Sequence, residues 1–446
     1  MAKVLIFGAG LVSKPMVDYL LDKGFEVWVA SRTVSKAEKL VAGHSNGKAV
    51  AFNIVKEEES LDDLVPQVDL VVSLLPYIYH VKVAKACIKH QKHMVTTSYV
   101  SPEMQALDED AKKAGILVLN EIGVDPGIDH MSAMQIIDNV RSKGGKITAF
   151  KSYCGGLPAP EANTNPYGYK FSWSPRGVVL AATNPGKWLR EGTVVDIKEG
   201  TLFKSENLDQ LEVTRDNLGT LEVYANRNSL PYMDLYGLED VQTMFRGTLR
   251  NIGWCKTWDK ITDLGYLDKE ERDDIKGLTY AQLLAKLAGS DGQDLKADVA
   301  AKMGLPVDDD VIGRMQWLNL FSNEEIPVEE DKISPLDVLA NKLLEKLKYE
   351  EKERDMLVMV HDFIAEYPDG KKERIQSTMV DYGIPGGDSS MSRTVSLPAA
   401  IAVRMILEGK INLTGVMIPT KPEIYNPVLE ELETMDIKLE ETVTEL

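Results

Sequence analysis

The amino-acid sequence predicts an α/β protein: an N-terminal doubly wound parallel sheet followed by a second, α+β domain that carries an inserted small all-α domain. Three observations predict it. Through the first third of the 446-residue chain, short apolar and often β-branched runs alternate with helical stretches, the pattern of an open parallel sheet. A glycine-rich turn, Gly8-Ala9-Gly10, follows the first of those runs and precedes a helical stretch. Beyond Lys146 apolar residues alternate with polar ones, as in strands with one wet face, and a long helix-rich stretch interrupts them.

In order along the chain, KVLIFGAG, FEVWVAS, KAVAFNI, VDLVVSLLP, HMVTTSYV and ILVLNEIG are the strand-like blocks of the first region, with KPMVDYLLDKG, VSKAEKLVAG and VKVAKACIKH as helices between them. The helix opening near Ile128, IDHMSAMQIIDNVRSKGG, leads away from this sheet. KITAFKSYCGG, GTVVDIKEG and LEVYANRN alternate, and RDMLVMVHDFIAEY pairs with KKERIQSTMVDYG across the turn PDGKK. From about Leu238 to Glu351 the spacing predicts helices in TLRNIGWCKTWDKITDLG, YAQLLAKLAG, DLKADVAAKMG, DVIGRMQWLNLF and SPLDVLANKLLEKLKYEEK. The expected domains are therefore 1–124, with the segment 393–446 and its helix SLPAAIAVRMILEGKI packing back on it; 125–237 with 352–392; and a helical insertion over 238–351.

Composition narrows the function classes. Hydrophobic residues make up 44% and charged ones 27%, as in an ordered globular protein. A formal net charge of −18 opposes a surface that coats nucleic acid or an anionic membrane. The acidic tail LEELETMDIKLEETVTEL reads as solvated surface. The first strand begins by Lys3, leaving no room for a signal peptide, and no apolar run reaches the length of a membrane span, so a cytoplasmic location is expected. Three scattered cysteines, Cys87, Cys154 and Cys255, fit a reducing compartment and form neither a disulfide framework nor a CxxC zinc site. His90 and His93 lie across a helix-to-strand junction without HExxH spacing, so no metal is expected.

Gly8, Gly10 and Ser13 occupy the places of G-x-G-x-x-G/A at the first βα turn, the fingerprint of a Rossmann fold. Gly8 permits the tight turn, and Gly10 lets a pyrophosphate approach amides at the helix N-terminus. A fold that holds NAD usually places an acid at the end of its second strand, whereas WVASRT offers Ser31, Arg32 and Thr33. A guanidinium there clamps a 2′-phosphate that an aspartate would repel, which favours NADP(H), with Lys36 adding positive field; the other reading has Arg32 reaching into solvent. Leu75–Pro76, Thr97, Ser98, Tyr99, Asp125 and Pro126 follow later strands, and their loops should converge at the carboxyl edge of the sheet, where such folds bind ligands. His80 and His130 fall near that edge, read as solvent-facing or structural imidazoles ahead of catalytic ones, and Trp173 as a pocket wall or as core between domains.

SYVSP, NEIGVDPGIDH, SYCGGLPAPE, NPYGYKFSWSPRG, ANRNSLPY and FRGTLR, in that order, closely resemble the saccharopine reductase family, the NADP+-dependent, L-glutamate-forming saccharopine dehydrogenases of the α-aminoadipate lysine pathway. The likeness runs from Gly8 to about Gly253 and is looser through the helical region and at the C-terminal end. It implies a Rossmann domain that binds NADPH, an α/β domain for substrate binding and dimerisation, a small helical domain, and a homodimer. It also implies a reversible condensation of glutamate with 2-aminoadipate 6-semialdehyde, reduced to saccharopine by hydride from NADPH.

By this resemblance NADP(H) contacts fall on Gly8, Gly10, Leu11, Val12, Ser13, Ser31, Arg32, Thr33, Asn53, Ile54, Leu75, Thr97, Ser98, Val124, Asp125, Pro126 and Ser174. Asn53 stands where relatives commonly have aspartate. Substrate contacts fall on Ser98, Tyr99, Asp125, Arg227, Arg246, Thr248, Leu249 and Arg250. Saccharopine carries three carboxylates, so cations are needed, and each arginine also has a structural salt bridge as its other reading. A charged hydrogen bond contributes roughly 1.5–3 kcal/mol, enough for two or three arginines to dominate orientation. Asp125 suits the substrate ammonium, although D-P-G-I-D also suits a helix cap. Tyr99 and Cys154 are the candidates for proton traffic. The competing functions are a related imine-reducing dehydrogenase of the carboxynorspermidine type and a non-catalytic nucleotide-sensing protein.

Overall fold

The computed structural model describes residues 1–172, 175–328 and 331–446. The chain divides into two compact units: Met1–Ile147 with Leu235–Gly237 and Met359–Leu446, and Thr148–Asp234 with Leu238–Val358.

The first unit is built on β1 (Lys3–Phe7), β2 (Glu26–Ser31), β3 (Gly47–Ala51), β4 (Leu70–Ser73), β5 (His93–Val95), β6 (Leu117–Leu119) and, from far along the chain, β15 (Gly415–Met417). Their order is β15-β6-β5-β4-β1-β2-β3, and neighbouring strands in it run parallel. Central strands of such a sheet are covered on both faces and need continuous apolar runs, which is why VLIF of β1 and LVVS of β4 are buried throughout. Order reverses between β1 and β4, so the carboxyl ends of those two strands flank the topological switch point. Leu5, Phe7, Trp28, Val71, Met94 and Val118 belong to the core beside the sheet.

Helix Lys14–Asp22 follows the glycine turn, with Pro15 in its first turn, where a missing N–H costs nothing. Helix Ser390–Leu407, capped by Ser389, sits against it: Arg404 Nε donates to the Tyr19 hydroxyl at 2.7 Å, and the same guanidinium meets Glu408 at 2.7 Å and Glu431. The unit also holds β14 (Lys372–Tyr382), β16 (Glu440–Glu445), antiparallel to it, and the part of β13 (Asp355–Glu366) from Met359 onward. The acidic tail, from Leu429, is thus the end of helix Pro422–Glu433 and then β16; β16 is all exposed, but Leu429 and Leu432 are buried, so only part of the tail is the solvated surface expected of it.

In the second unit, β7 (Lys146–Pro158) from Thr148 onward, β8 (Gly186–Arg190), β9 (Thr193–Ile197), β10 (Asp209–Val213), β11 (Gly219–Ala225) and β12 (Thr243–Arg250) form a mixed sheet. β10, β11 and β12 are antiparallel neighbours, β7 runs parallel to β12, and β8 pairs with both β12 and β9. One expectation is corrected. The spacing predicts a helix from the start of TLRNIGWCKTW, but Thr248–Arg250 complete β12 and the helix begins only at Trp254. A cross-strand pairing with Tyr224 and Cys154 on either side of Thr248 overrides the local pattern.

Helices Trp254–Asp263, Tyr280–Ala288, Leu295–Met303, Asp310–Trp317 and Pro335–Lys346 follow. Thr279 and Gln282 close a capping box at the second of them, with bonds of 3.2 and 2.9 Å. Among the described residues no helix is long and apolar enough to cross a membrane.

Candidate active site

The first βα turn is fixed by sterics and by one serine. Gly8 has φ +121°, and a Cβ on it would lie 2.9 Å from the Leu74 carbonyl oxygen, so only glycine lets strands β1 and β4 approach here. Ser13 is fully buried; its Oγ accepts from Gly10 N at 3.0 Å and donates to Gly8 O at 3.2 Å, so its side chain holds the turn itself. A Cβ on Gly10 would meet nothing within 4 Å, and Leu11 is 73% exposed. The Leu11 and Val12 amides donate to no acceptor among the described residues, which leaves two N–H groups at a helix N-terminus for a phosphate.

At the end of β2 the Ser31 Oγ accepts from Thr33 N at 3.2 Å, which shapes the turn that carries Arg32. Arg32 is exposed and forms no ion pair with a carboxylate among the described residues, so its guanidinium can serve an outside anion. The backbone N of Phe52 donates to Ser31 O at 3.1 Å, bringing Asn53 and the buried Ile54 beside this turn. Asn53 Oδ1 is taken up by Val55 N at 3.1 Å. Leu75, half-buried, follows β4 on the other side of the switch point.

The loops after β5 and β6 meet, as expected. The Tyr99 hydroxyl donates to Asp125 Oδ1 at 3.2 Å. Asp125 precedes Pro126 through a cis peptide bond. Gly127 has φ +150°, and a Cβ there would fall 2.0 Å from the Gly123 carbonyl oxygen. Its amide donates to Asp129 Oδ1 at 2.6 Å, so Asp129 takes the helix-opening bond that the sequence had also offered to Asp125.

Ser98 is held from beneath: its Oγ lies 2.8 Å from His80 Nε2, and His80 Nδ1 lies 2.8 Å from Ser73 Oγ. Burial pushes the His80 imidazole down to about 4, so at neutral pH it is uncharged, with one nitrogen donating and the other accepting. His130 is fully buried between Glu121 and Tyr236. Sequence reasoning missed Ser73, Glu121 and Tyr236: Glu121 stands inside the block NEIGVDPGIDH but was given no role, and the partners that define all three lie far along the chain or in other elements.

In the second unit β12 brings three expected contacts onto one face by its two-residue period: Arg246, Thr248 and Arg250, while Leu249 points the other way and is fully buried. Thr248 is in register with Cys154 on β7, itself 8% exposed. Arg246 stacks over Tyr232 at 4.2 Å. Arg250 is 4% exposed, ringed by Tyr169, Tyr224 and Trp254 at 5.0–5.7 Å, and donates to its neighbour's carbonyl, Leu249 O, at 2.7 Å. Its Nε has no partner and it meets no carboxylate among the described residues. Tyr224 is pushed up to about 12 by burial, so it stays a neutral wall. Arg227, exposed and at φ +61°, follows β11. Ser174 and Trp173 lie outside the described residues.

A parallel sheet with this switch point, a glycine turn offering amides and an arginine in place of the ribose-binding acid define an NADP-binding oxidoreductase. Comparison with known proteins specifies it further. Residues 4–119 match the model of the saccharopine dehydrogenase NADP binding domain, and residues 123–437 that of the saccharopine dehydrogenase C-terminal domain. The chain belongs to the saccharopine dehydrogenase family. It is 39% identical to the saccharopine dehydrogenase (NADP+, L-glutamate-forming) of Schizosaccharomyces pombe across 99% of both chains. A solved structure of the L-Glu-forming saccharopine dehydrogenase of Saccharomyces cerevisiae superposes with a TM-score of 0.90 and 37% identity, covering 100% of each chain. The mitochondrial alpha-aminoadipic semialdehyde synthase of Bos taurus is 39% identical over 98% of this chain, which spans 47% of that longer protein.

Proposed function

We propose that the chain oxidises saccharopine with NADP+ and water to L-glutamate, 2-aminoadipate 6-semialdehyde, NADPH and a proton, reversibly. The observation that carries this reading is the likeness to L-glutamate-forming enzymes along the whole of both chains, with a matching fold.

NADP+, when bound, would supply the hydride acceptor for the carbon beside the secondary amine. The residues proposed to hold it are Gly8, Gly10, Leu11, Val12, Ser13, Ser31, Arg32, Thr33, Asn53, Ile54, Leu75, Thr97, Ser98, Val124, Asp125 and Pro126, with Ser174. The orphan amides and the unengaged Arg32 support that assignment. Asp125, steadied by the Tyr99 hydroxyl, would face the cationic nitrogen; an anion within about 4–6 Å favours the iminium that hydride loss leaves behind. Water adds to that iminium carbon, and the carbinolamine splits once the nitrogen gains a proton and the hydroxyl loses one. Tyr99 and Cys154 are proposed for this traffic.

Ser98, Arg227, Arg246, Thr248 and Arg250 are proposed to seat the three carboxylates; Leu249, fully buried on the opposite face of β12, is left out of that set. A buried guanidinium without a counter-charge is costly, and a substrate carboxylate at Arg250 would supply one. The division into Rossmann, substrate-binding and helical domains, a homodimer and a cytoplasmic location complete the proposal. Incubation with saccharopine and NADP+ should yield glutamate and reduced cofactor; lysine with 2-oxoglutarate as products would overturn it. Arg250→Ala should raise KM for saccharopine at least 10-fold, as expected for loss of one charged hydrogen bond.

A further inference from the structure

Glu121 lies just beyond β6, only 5% exposed, and adopts φ +56°, a left-handed conformation that residues with a side chain seldom take. That conformation lets one residue grip the Ser98–Val100 segment twice. Its backbone N donates to Ser98 O at 3.1 Å, and its Oε1 accepts from Val100 N at 2.9 Å. The two bonds bracket Tyr99, whose hydroxyl reaches Asp125.

The second carboxylate oxygen is held in turn. Glu121 Oε2 lies 2.8 Å from Nε2 of His130, which is fully buried on helix Ile128–Ser142. His130 Nδ1 meets the hydroxyl of Tyr236, and the two rings pack edge to face with centroids 5.8 Å apart. Asp129 Oδ2 is 3.8 Å from the same Nδ1. A carboxylate anchored at both oxygens has little rotational freedom, so the position of Val100 N, and of Tyr99 before it, is set from within the helix.

We propose that Glu121, backed by His130 and Tyr236, is a positioning residue for saccharopine oxidation, which fixes the Tyr99–Asp125 pair through the backbone on both sides of Tyr99. This rests on the reading that Tyr99 and Asp125 face the substrate. The bonds made by Glu121 are short-range and directional, so a glutamine, which keeps an acceptor for Val100 N and an amide for His130 in its other tautomer, should replace it far better than an alanine.

The test compares Glu121→Ala, Glu121→Gln and Tyr236→Phe with the parent chain, measuring kcat for saccharopine, KM for saccharopine and the dissociation constant for NADP+ by fluorescence. Glu121→Ala should lose at least 10-fold in kcat with NADP+ affinity within 3-fold, Glu121→Gln should recover most of it, and Tyr236→Phe should lose several-fold. Should Glu121→Ala not fold, Tyr236→Phe decides alone. Unchanged kcat in Tyr236→Phe, or a glutamine variant as impaired as the alanine one, would overturn the positioning role. A parent chain inactive on saccharopine removes the functional reading as well, whereas an active parent with unaffected variants removes only this inference.

Discussion

At the scale of single residues, cofactor choice hangs on one side chain. Arg32 stands where an NAD-binding fold places an acid, is exposed, and is engaged by no carboxylate among the described residues. Arg32→Asp should weaken NADP+ about 100-fold, the value of one or two charged hydrogen bonds, and leave NAD+ within a few-fold. Titration of binding with each cofactor checks it, and equal losses would show that the guanidinium does not read the 2′-phosphate. His80 gives a pH prediction. Its folded value of about 4 lies below the unfolded value of 6.5, so the unfolded chain binds more protons between them and stability falls as pH drops through that window. The cost by pH 4 is about 3 kcal/mol at most. His80→Gln, which keeps a donor and an acceptor, should lose less stability than the parent between pH 6.5 and pH 4.5 in denaturant titrations; equal losses would mean the imidazole is not kept neutral by burial.

At the scale of elements, caps and turns decide where helices begin and which loops converge. The capping box of Thr279 and Gln282 is a local device, and Thr279→Ala should destabilise its helix by about 1 kcal/mol. Urea titration followed by far-ultraviolet dichroism would show it, and an unchanged curve would mean that packing alone starts the helix. Gly8 and Gly127 are different: each stands where a Cβ would strike backbone, at 2.9 and 2.0 Å, so no side chain can substitute without moving a loop of the site.

Across the molecule, what was legible in the sequence was whatever local pattern encodes. The glycine turn, the alternation of strands and helices and the loops ending in Ser98, Tyr99 and Asp125 all follow from short-range composition. What escaped depends on pairing across long separations. β15 is three residues, too short for any period, and joins the sheet only because β6 offers it an edge. Thr248–Arg250 read as helix because the residues after them do, yet they are strand because β11 and β7 flank them. Glu121 has no role readable from its neighbours in the sequence, and the role proposed for it rests on Tyr236, which lies 106 residues beyond the His130 that links them.

Saccharopine oxidation to glutamate and 2-aminoadipate 6-semialdehyde requires that hydride leave the carbon on the aminoadipate side of the secondary amine and go to NADP+. Saccharopine deuterated at that carbon, followed by mass spectrometry of products, tests it most directly. Deuterium should appear in the reduced nicotinamide, while label placed instead on the glutamyl α-carbon should stay in the released glutamate. Transfer of the glutamyl label to the cofactor would contradict the account.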